Sequence, residues 1–227
     1  MMTKNIVILG CSRGIGFEAV KFISENTNHN VIALSRNVSS LEGMKNVDAF
    51  SFDLKSSNVR EELTAILKNY KQLDILINNA GTLVNKAFLD LSQDDISTSY
   101  QTNIIGIMAA TQAFVEHIGD GSAHILNISS VGGIQGSVKF AGLSAYSTSK
   151  AALVSFTELF AEEYKETAID MNCLCLGAVQ TEMLEQAFPG YEAPISASKM
   201  AKYIVDFALN GNDFYKGKIL PVSMSTP

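Results

Sequence analysis

Short apolar runs of strand length alternate along this chain with longer stretches of helical period, and that alternation leaves few architectures open to it. The strand-like runs lie at 6–9, 31–34, 47–52, 73–77, 124–128, 169–174 and 218–222 and are rich in β-branched residues. Between them, 15–24, 59–70, 96–117, 146–164 and 197–209 carry apolar positions three and four apart and no proline, which predicts helices. A strand, a helix and a second strand in succession return to one sheet by a right-handed crossover, so neighbouring strands run parallel and helices cover both faces. Strands between two apolar layers should be apolar throughout rather than alternating, as Ile6-Val7-Ile8-Leu9 and Ile75-Leu76-Ile77 are. The expected fold is α/β, a doubly wound sandwich on a mainly parallel sheet of about seven strands.

Length and charge narrow the function. A single domain over 1–227 is the expectation, since 227 residues suffice for one large core and no linker or internal repeat interrupts them. With 47% hydrophobic and 18% charged residues the chain belongs with compact proteins rather than disordered ones. A net charge of -6, without a basic cluster, argues against a nucleic-acid partner and for a small molecule. No apolar run reaches membrane-spanning length, and a cytoplasmic protein is expected. Cys11, Cys173 and Cys175 form neither a zinc-type C-x-x-C nor a disulfide framework and read as small buried hydrophobes. The four prolines, at 189, 194, 221 and 227, all come late. Two of them break the segment 182–196, which is either an active-site flap or an ordinary surface connection.

Directly after the first strand comes Gly10-Cys11-Ser12-Arg13-Gly14-Ile15-Gly16, opening into a helix. Amides at a helix N-terminus are unpaired and partly positive, so a pyrophosphate is stabilised there where no Cβ blocks its approach. Glycine patterns of this kind are common; position and context give this one its weight. About twenty residues further on, dinucleotide folds place either an acid on the ribose hydroxyls or a base near a 2′-phosphate. Here the second strand ends Ala33-Leu34-Ser35-Arg36-Asn37, with no carboxylate. Arg36 and Arg13 can share one phosphate, which selects NADP(H) over NAD(H).

Taken in order, the glycine turn, Asp53-Leu54, Asn78-Asn79-Ala80-Gly81, Asn103, Ser129-Ser130 and Tyr146-Ser147-Thr148-Ser149-Lys150 resemble the short-chain dehydrogenase/reductase family in its compact single-domain branch. The resemblance covers nearly the whole chain and implies a Rossmann-like fold, an oxidoreductase, and a homodimer or homotetramer built through the two long helices. It implies Asn103, Ser130, Tyr146 and Lys150 as the catalytic set. Tyr146 is then the proton donor in reduction, Ser130 holds the substrate oxygen, and Lys150 also binds the nicotinamide ribose. The backbone carbonyl of Asn103 would hold a water in the proton relay. Residues four apart share a helix face, so the Lys150 ammonium should favour the Tyr146 phenolate and draw its pKa toward working pH. Cofactor contacts follow for Gly10, Ser12, Arg13, Gly14, Ile15, Gly16, Ser35, Arg36, Asn79, Ala80 and Gly81. Asp53 either accepts from the adenine amino group, with the Leu54 amide beside it, or simply caps a helix. Asn78 to Gly81 can equally be a plain turn. His29, His117 and His124 fall outside every motif position, and no metal site is expected.

The chain departs from the family at three places. Where the family has Pro-Gly after the sixth strand, Leu176 precedes Gly177, so a less rigid turn is expected around the carboxamide contacts Gly177, Val179 and Thr181. The stretch from Ser130 to Tyr146 is longer than usual and either narrows the substrate pocket or bulges into solvent. After the last strand Val222 is followed by Ser223-Met224 rather than a glycine-rich ending. The pocket should be framed by 132–143, 83–85 and 183–195, mostly apolar, suited to a small carbonyl or alcohol substrate. A non-catalytic NADP(H)-binding sensor or scaffold is the competing function, because a fold alone never proves turnover.

Overall fold

The computed structural model describes residues 3–224; residues 1–2 and 225–227, with Pro227 among them, lie outside. Seven strands, β1 (Asn5–Leu9), β2 (Asn30–Ser35), β3 (Val47–Ser51), β4 (Ile75–Asn78), β5 (Ala123–Ser130), β6 (Ile169–Leu176) and β7 (Ile219–Val222), form one sheet in the order β3-β2-β1-β4-β5-β6-β7. Every pairing is parallel. The order reverses between β1 and β4, so a crevice opens there at the carboxyl ends of the strands.

Among the described residues seven α-helices flank the sheet: α1 (Gly14–Asn26), α2 (Val59–Leu67), α3 (Gln93–Tyr100), α4 (Gly106–Ile118), α5 (Ser144–Glu163), α6 (Glu182–Ala187) and α7 (Ala197–Asn210). Successive strand residues point to opposite faces, and both faces are dry. Ile6 and Ile8 pack with Val20 and Ile23 of α1 and Ile204 and Val205 of α7. Val7 and Leu9 pack with Leu63 of α2, Phe114 of α4 and Leu153 of α5. This is why the strands are apolar without alternation. Among the described residues no helix is long and apolar enough to cross a membrane.

Two helical assignments differ from the sequence reading. The segment expected as one helix over 96–117 starts earlier, at Gln93, and is broken by a π turn over Gln101–Ile105. Its start is set by a capping box in which Ser92 accepts from the Asp95 amide and the Asp95 carboxylate accepts from the Ser92 amide. Segment 182–196, expected to be irregular, begins with the short α6, capped by Thr181, whose hydroxyl accepts from the Leu184 amide at 3.2 Å. The turn after β6 also differs. Leu176 stays in the sheet between Ser130 and Val222, and the Gly177 amide donates to Val222 O at 2.9 Å, so ladder bonds supply the stiffness a proline would have given.

A polar chain crosses the interior beneath the crevice. Asn78 Nδ2 donates to Asn127 Oδ1 at 2.7 Å, and Asn127 Nδ2 donates to Thr157 Oγ1 at 2.9 Å, joining β4, β5 and α5. All three residues are fully buried, so each lost partner leaves a group with no access to water. Asn127→Ala is expected to destabilise the protein by about 2–3 kcal/mol, read as a lower urea midpoint at an unchanged slope. A midpoint within error of wild type would show that the chain contributes nothing.

Candidate active site

The crevice is a cavity of about 570 Å³. Its wall includes, from the predicted set, Gly10, Ser12, Arg13, Gly14, Ile15, Ser35, Arg36, Asp53, Leu54, Asn79, Ala80, Gly81, Ser130, Tyr146, Lys150, Gly177, Val179 and Thr181. Gly16 and Asn103 stand behind that wall. Residues the motifs did not single out also reach it, among them Leu9, Leu34 and Phe52 at or just past strand ends, and Thr98 and Thr102 from α3 and the π turn. For the first three the signal was available, since a crevice at this switch point is lined by whatever ends the strands.

At one end of the cavity the chain leaves β1 in a conformation that only glycine adopts without strain. Gly10 has φ +85°, and a Cβ there would come 2.6 Å from Ala80 Cα. A Cβ on Gly16 would overlap Gly10 O, the same oxygen that accepts from Asn79 Nδ2 at 2.8 Å. Gly16 is therefore a packing residue, and the Asn79 side chain ties the end of β4 to the glycine turn. The N-terminus of α1 has no side-chain cap and no acidic residue in its first turn. Uncapped amides beside a surface cleared of Cβ atoms fit a pyrophosphate.

Arg13 and Arg36 are exposed and both border this end, with Ser12 and Ser35 between the glycine turn and the end of β2. Asp53 borders it as well. Its carboxylate accepts from the Lys55 amide at 3.0 Å and shapes the turn ahead of α2, whose N-cap is Asn58, so Asp53 is not a helix cap.

The reactive groups gather at the other end. Tyr146 and Lys150 lie one turn apart on α5, and Ser130 ends β5 beside them. Lys150 is almost fully buried and its ammonium donates to Ile128 O at 2.8 Å. Burial pulls the Lys150 pKa down to about 8. Tyr146 differs from the expectation: burial pushes its phenol above the ordinary value, and the hydrogen bond from Ser130 offsets only part of that. Desolvation is the largest influence on the phenol, and the Lys150 ammonium is turned to the Ile128 carbonyl. The serines divide as the family pattern implies. Ser129 Oγ donates to Lys150 O at 2.9 Å and anchors α5 to β5, whereas Ser130 faces Tyr146.

Asn103 sits on the π turn, fully buried. Its side chain accepts from the Thr82 amide at 2.8 Å and donates to Thr82 O and Ser149 Oγ, each at 2.9 Å. A Cβ on Gly81 would lie 3.4 Å from Lys150 Nζ and 3.5 Å from Asn103 Oδ1. Asn103 thus clamps the strand-end segment after β4 onto α5, holding the lysine and tyrosine in register. The histidines take no part: His124 is buried between Ala208 O and the Asn172 amide, His117 meets Tyr70 O, and His29 accepts from the Lys4 amide. All three cysteines are free and buried, as read from the sequence, with Cys173 and Cys175 sulfurs 3.8 Å apart.

Residues 4–192 match the short chain dehydrogenase family. The chain belongs to that family. It is an oxidoreductase built around a nicotinamide cofactor. Among curated relatives, carbonyl reductase family member 4 of Danio rerio is 31% identical over 189 residues, covering 80% of this chain and 78% of that one. The NADP-dependent 3-hydroxy acid dehydrogenase of Schizosaccharomyces pombe is 31% identical over 199 residues, covering 82% and 76%. Two solved structures, each 24% identical, share the fold: 4-hydroxyisoleucine dehydrogenase complexed with NADH, with a TM-score of 0.87 over 97% of both chains, and ElxO with NADP bound, with 0.83 over 98% of both. The Tyr-x-x-x-Lys pair of this short-chain dehydrogenase lies inside the matched region, as does the glycine turn.

The buried lysine has a consequence for stability. Below pH about 8 Lys150 is charged in both the folded and the unfolded chain, and the full burial penalty acts. Above that value the folded protein sheds the proton while the unfolded chain keeps it up to about 10.5, so stability rises with pH across this window. Tyr146 acts oppositely and higher: above about 10 the unfolded chain ionises first and stability falls. Between pH of about 8 and about 9.5 the melting temperature of the wild type is expected to climb relative to Lys150→Met. Parallel curves for the two proteins would show that the lysine is not charged at a cost in the fold.

Proposed function

We propose that the protein is an NADP(H)-dependent carbonyl reductase or alcohol dehydrogenase acting on a small, mostly apolar substrate. The observation that carries this reading is a half-buried phenol, Tyr146, beside Ser130 and one helical turn from a buried lysine, in the same cavity as an uncapped glycine turn. Binding alone requires no phenol beside an amine, which weighs against a sensor or scaffold without turnover.

Each residue then has a task. The glycine turn and the α1 amides would hold the pyrophosphate, and Lys150 the nicotinamide ribose. When bound, the cofactor supplies the hydride. A phenol is protonated at neutral pH and burial raises its pKa further, so the Tyr146 Oη can give a proton to the substrate oxygen in reduction. Ser130 Oγ orients that oxygen and stabilises the charge that grows on it. Asn103 and Ser129 keep α5 in place and need not touch the substrate. Arg13 and Arg36 select NADP(H), since the end of β2 offers a 2′-phosphate two guanidinium groups and a 2′-hydroxyl no carboxylate. The relatives' names point the same way in one case, the NADP-dependent enzyme. In the same reading the protein works in the cytoplasm as a homodimer or homotetramer, for which exposed Ile105, Met108 and Leu159 along the α4 and α5 side supply an apolar face.

Two variants test the assignment. Tyr146→Phe should lower carbonyl-dependent NADPH oxidation by about 10²–10⁴-fold while leaving the NADPH Kd, measured by nucleotide fluorescence, nearly unchanged; equal rates in the two proteins would remove the mechanism. Arg36→Asp should weaken NADPH by at least about tenfold and NADH little, because a phosphate partner is replaced by a repelling charge. An unaltered ratio of the two dissociation constants would show that Arg36 does not read the phosphate.

A further inference from the structure

The end of the cavity beyond Tyr146 is walled by Leu83, Val131, Leu143, Met183, Phe188 and Tyr191. Over it Phe140, from the lengthened stretch after β5, meets Phe188, just past α6, edge to face, with centroids 6.1 Å apart and planes at 64°. Four cationic side chains reach the cavity: Arg13, Arg36, Lys55 and Lys150. The first three stand at the glycine-turn and β2–β3 end, and the Lys150 ammonium is bonded to Ile128 O. Lys139, carried by the same loop as Phe140, commits its ammonium to Gly132 O at 2.8 Å, Ser137 Oγ at 2.9 Å and Ile134 O. A carboxylate or phosphate on the substrate would lose water here with no uncommitted cation among the described residues to meet it.

The long loop does not bulge away. Beyond the Lys139 contacts, the Lys86 amide donates to Gly142 O at 3.0 Å. Asn85 was expected to line the pocket but turns from it. Its Nδ2 donates to Ala187 O at 2.7 Å, next to Phe188, while its Oδ1 occupies the space a side chain on Gly142 would take. One amide therefore braces two aromatic loops that come from different parts of the chain.

We propose that the substrate is an uncharged, ring-bearing ketone seated under the Phe140–Phe188 roof, and that Asn85 is a positioning residue that sets this roof. The inference rests on the carbonyl-reductase reading and deepens it. Rings favour edge and face contacts with other rings, which an open chain of equal size does not make. In the step itself the carbonyl carbon gains a hydride from the reduced nicotinamide, which is oxidised, and the oxygen gains a proton from Tyr146 as the C=O π bond opens to an alcohol.

The test uses the full chain with NADPH and three ketones: acetophenone, benzoylformate, which carries a carboxylate in place of the methyl group, and 2-octanone, an open chain of the same carbon count as acetophenone. Acetophenone should exceed each of the others in kcat/KM by about tenfold or more. Phe188→Leu should remove its advantage over 2-octanone. Asn85→Ala should raise the acetophenone KM by about tenfold, with kcat within about twofold and the NADPH Kd unchanged, the split expected of lost positioning rather than lost chemistry. Equal or better use of benzoylformate or 2-octanone overturns the substrate class and leaves the carbonyl-reductase reading standing. An unmoved KM in Asn85→Ala overturns the role of that residue. A wild type that binds NADPH and reduces none of the three, nor any aldehyde, overturns the function and the substrate class with it.

Discussion

Two strands leaving the sheet side by side set the rest of this structure. β1 and β4 pair in parallel from Ile6 with Ile75 to Leu9 with Asn78, and immediately beyond that register Gly10 passes Ala80 with no room for a Cβ. The approach brings the glycine turn, the uncapped start of α1 and the Asn79–Gly81 segment to one place. Because the strand order reverses at this pair, the helices on either side diverge and the space above it stays open. A side chain at Gly10 or Gly16 would force the two strand ends apart and close or misalign the cavity from below.

The chemistry at the far end depends on the same sheet through buried polar ties. Ser129 and Ile128 of β5 bind the backbone and the ammonium of Lys150, and Asn103 bridges Thr82 to Ser149. Beneath them Asn78, Asn127 and Thr157 lock β4, β5 and α5 together. Polar contacts this deep have no competing water, so they hold Tyr146 and Lys150 in register more firmly than surface bonds could. The same dryness shifts both groups toward their neutral forms, raising the phenol and lowering the amine.

Specificity resides in parts that the sheet does not dictate. The stretch between Ser130 and Tyr146, the segment after β4 and the segment around α6 arise from three places in the chain and meet over the cavity. Their contacts are few and directional, Asn85 to Ala187, Lys86 to Gly142, Phe140 to Phe188, against the broad apolar packing that holds the helices on the sheet. A fold shared with enzymes solved with NADP and with NADH leaves room for such differences in the loops.

The parallel α/β architecture was legible in the sequence because it rests on local periodicity: strands apolar on both faces, helices with a three-and-four repeat, and a glycine turn between the first of each. The places of Tyr146, Lys150 and Ser130 were legible for the same reason, being spacing within one helix and the end of one strand. What only the tertiary structure decided was what those groups experience. Four residues of helical spacing put an ammonium near a phenol, but whether charge or desolvation prevails depends on burial by distant segments, and here desolvation does. Leu176 shows the same limit, its stiffness coming from a ladder with β7 that no local pattern encodes. So does Asn85, an unremarkable polar residue in sequence whose partners lie on loops far along the chain. The capping box at Ser92 and Asp95 is a local signal that the helix read over 96–117 passed over; the π turn at Gln101–Ile105, which places Asn103 against Thr82 and Ser149, required the packing of α4 and α5 to define it.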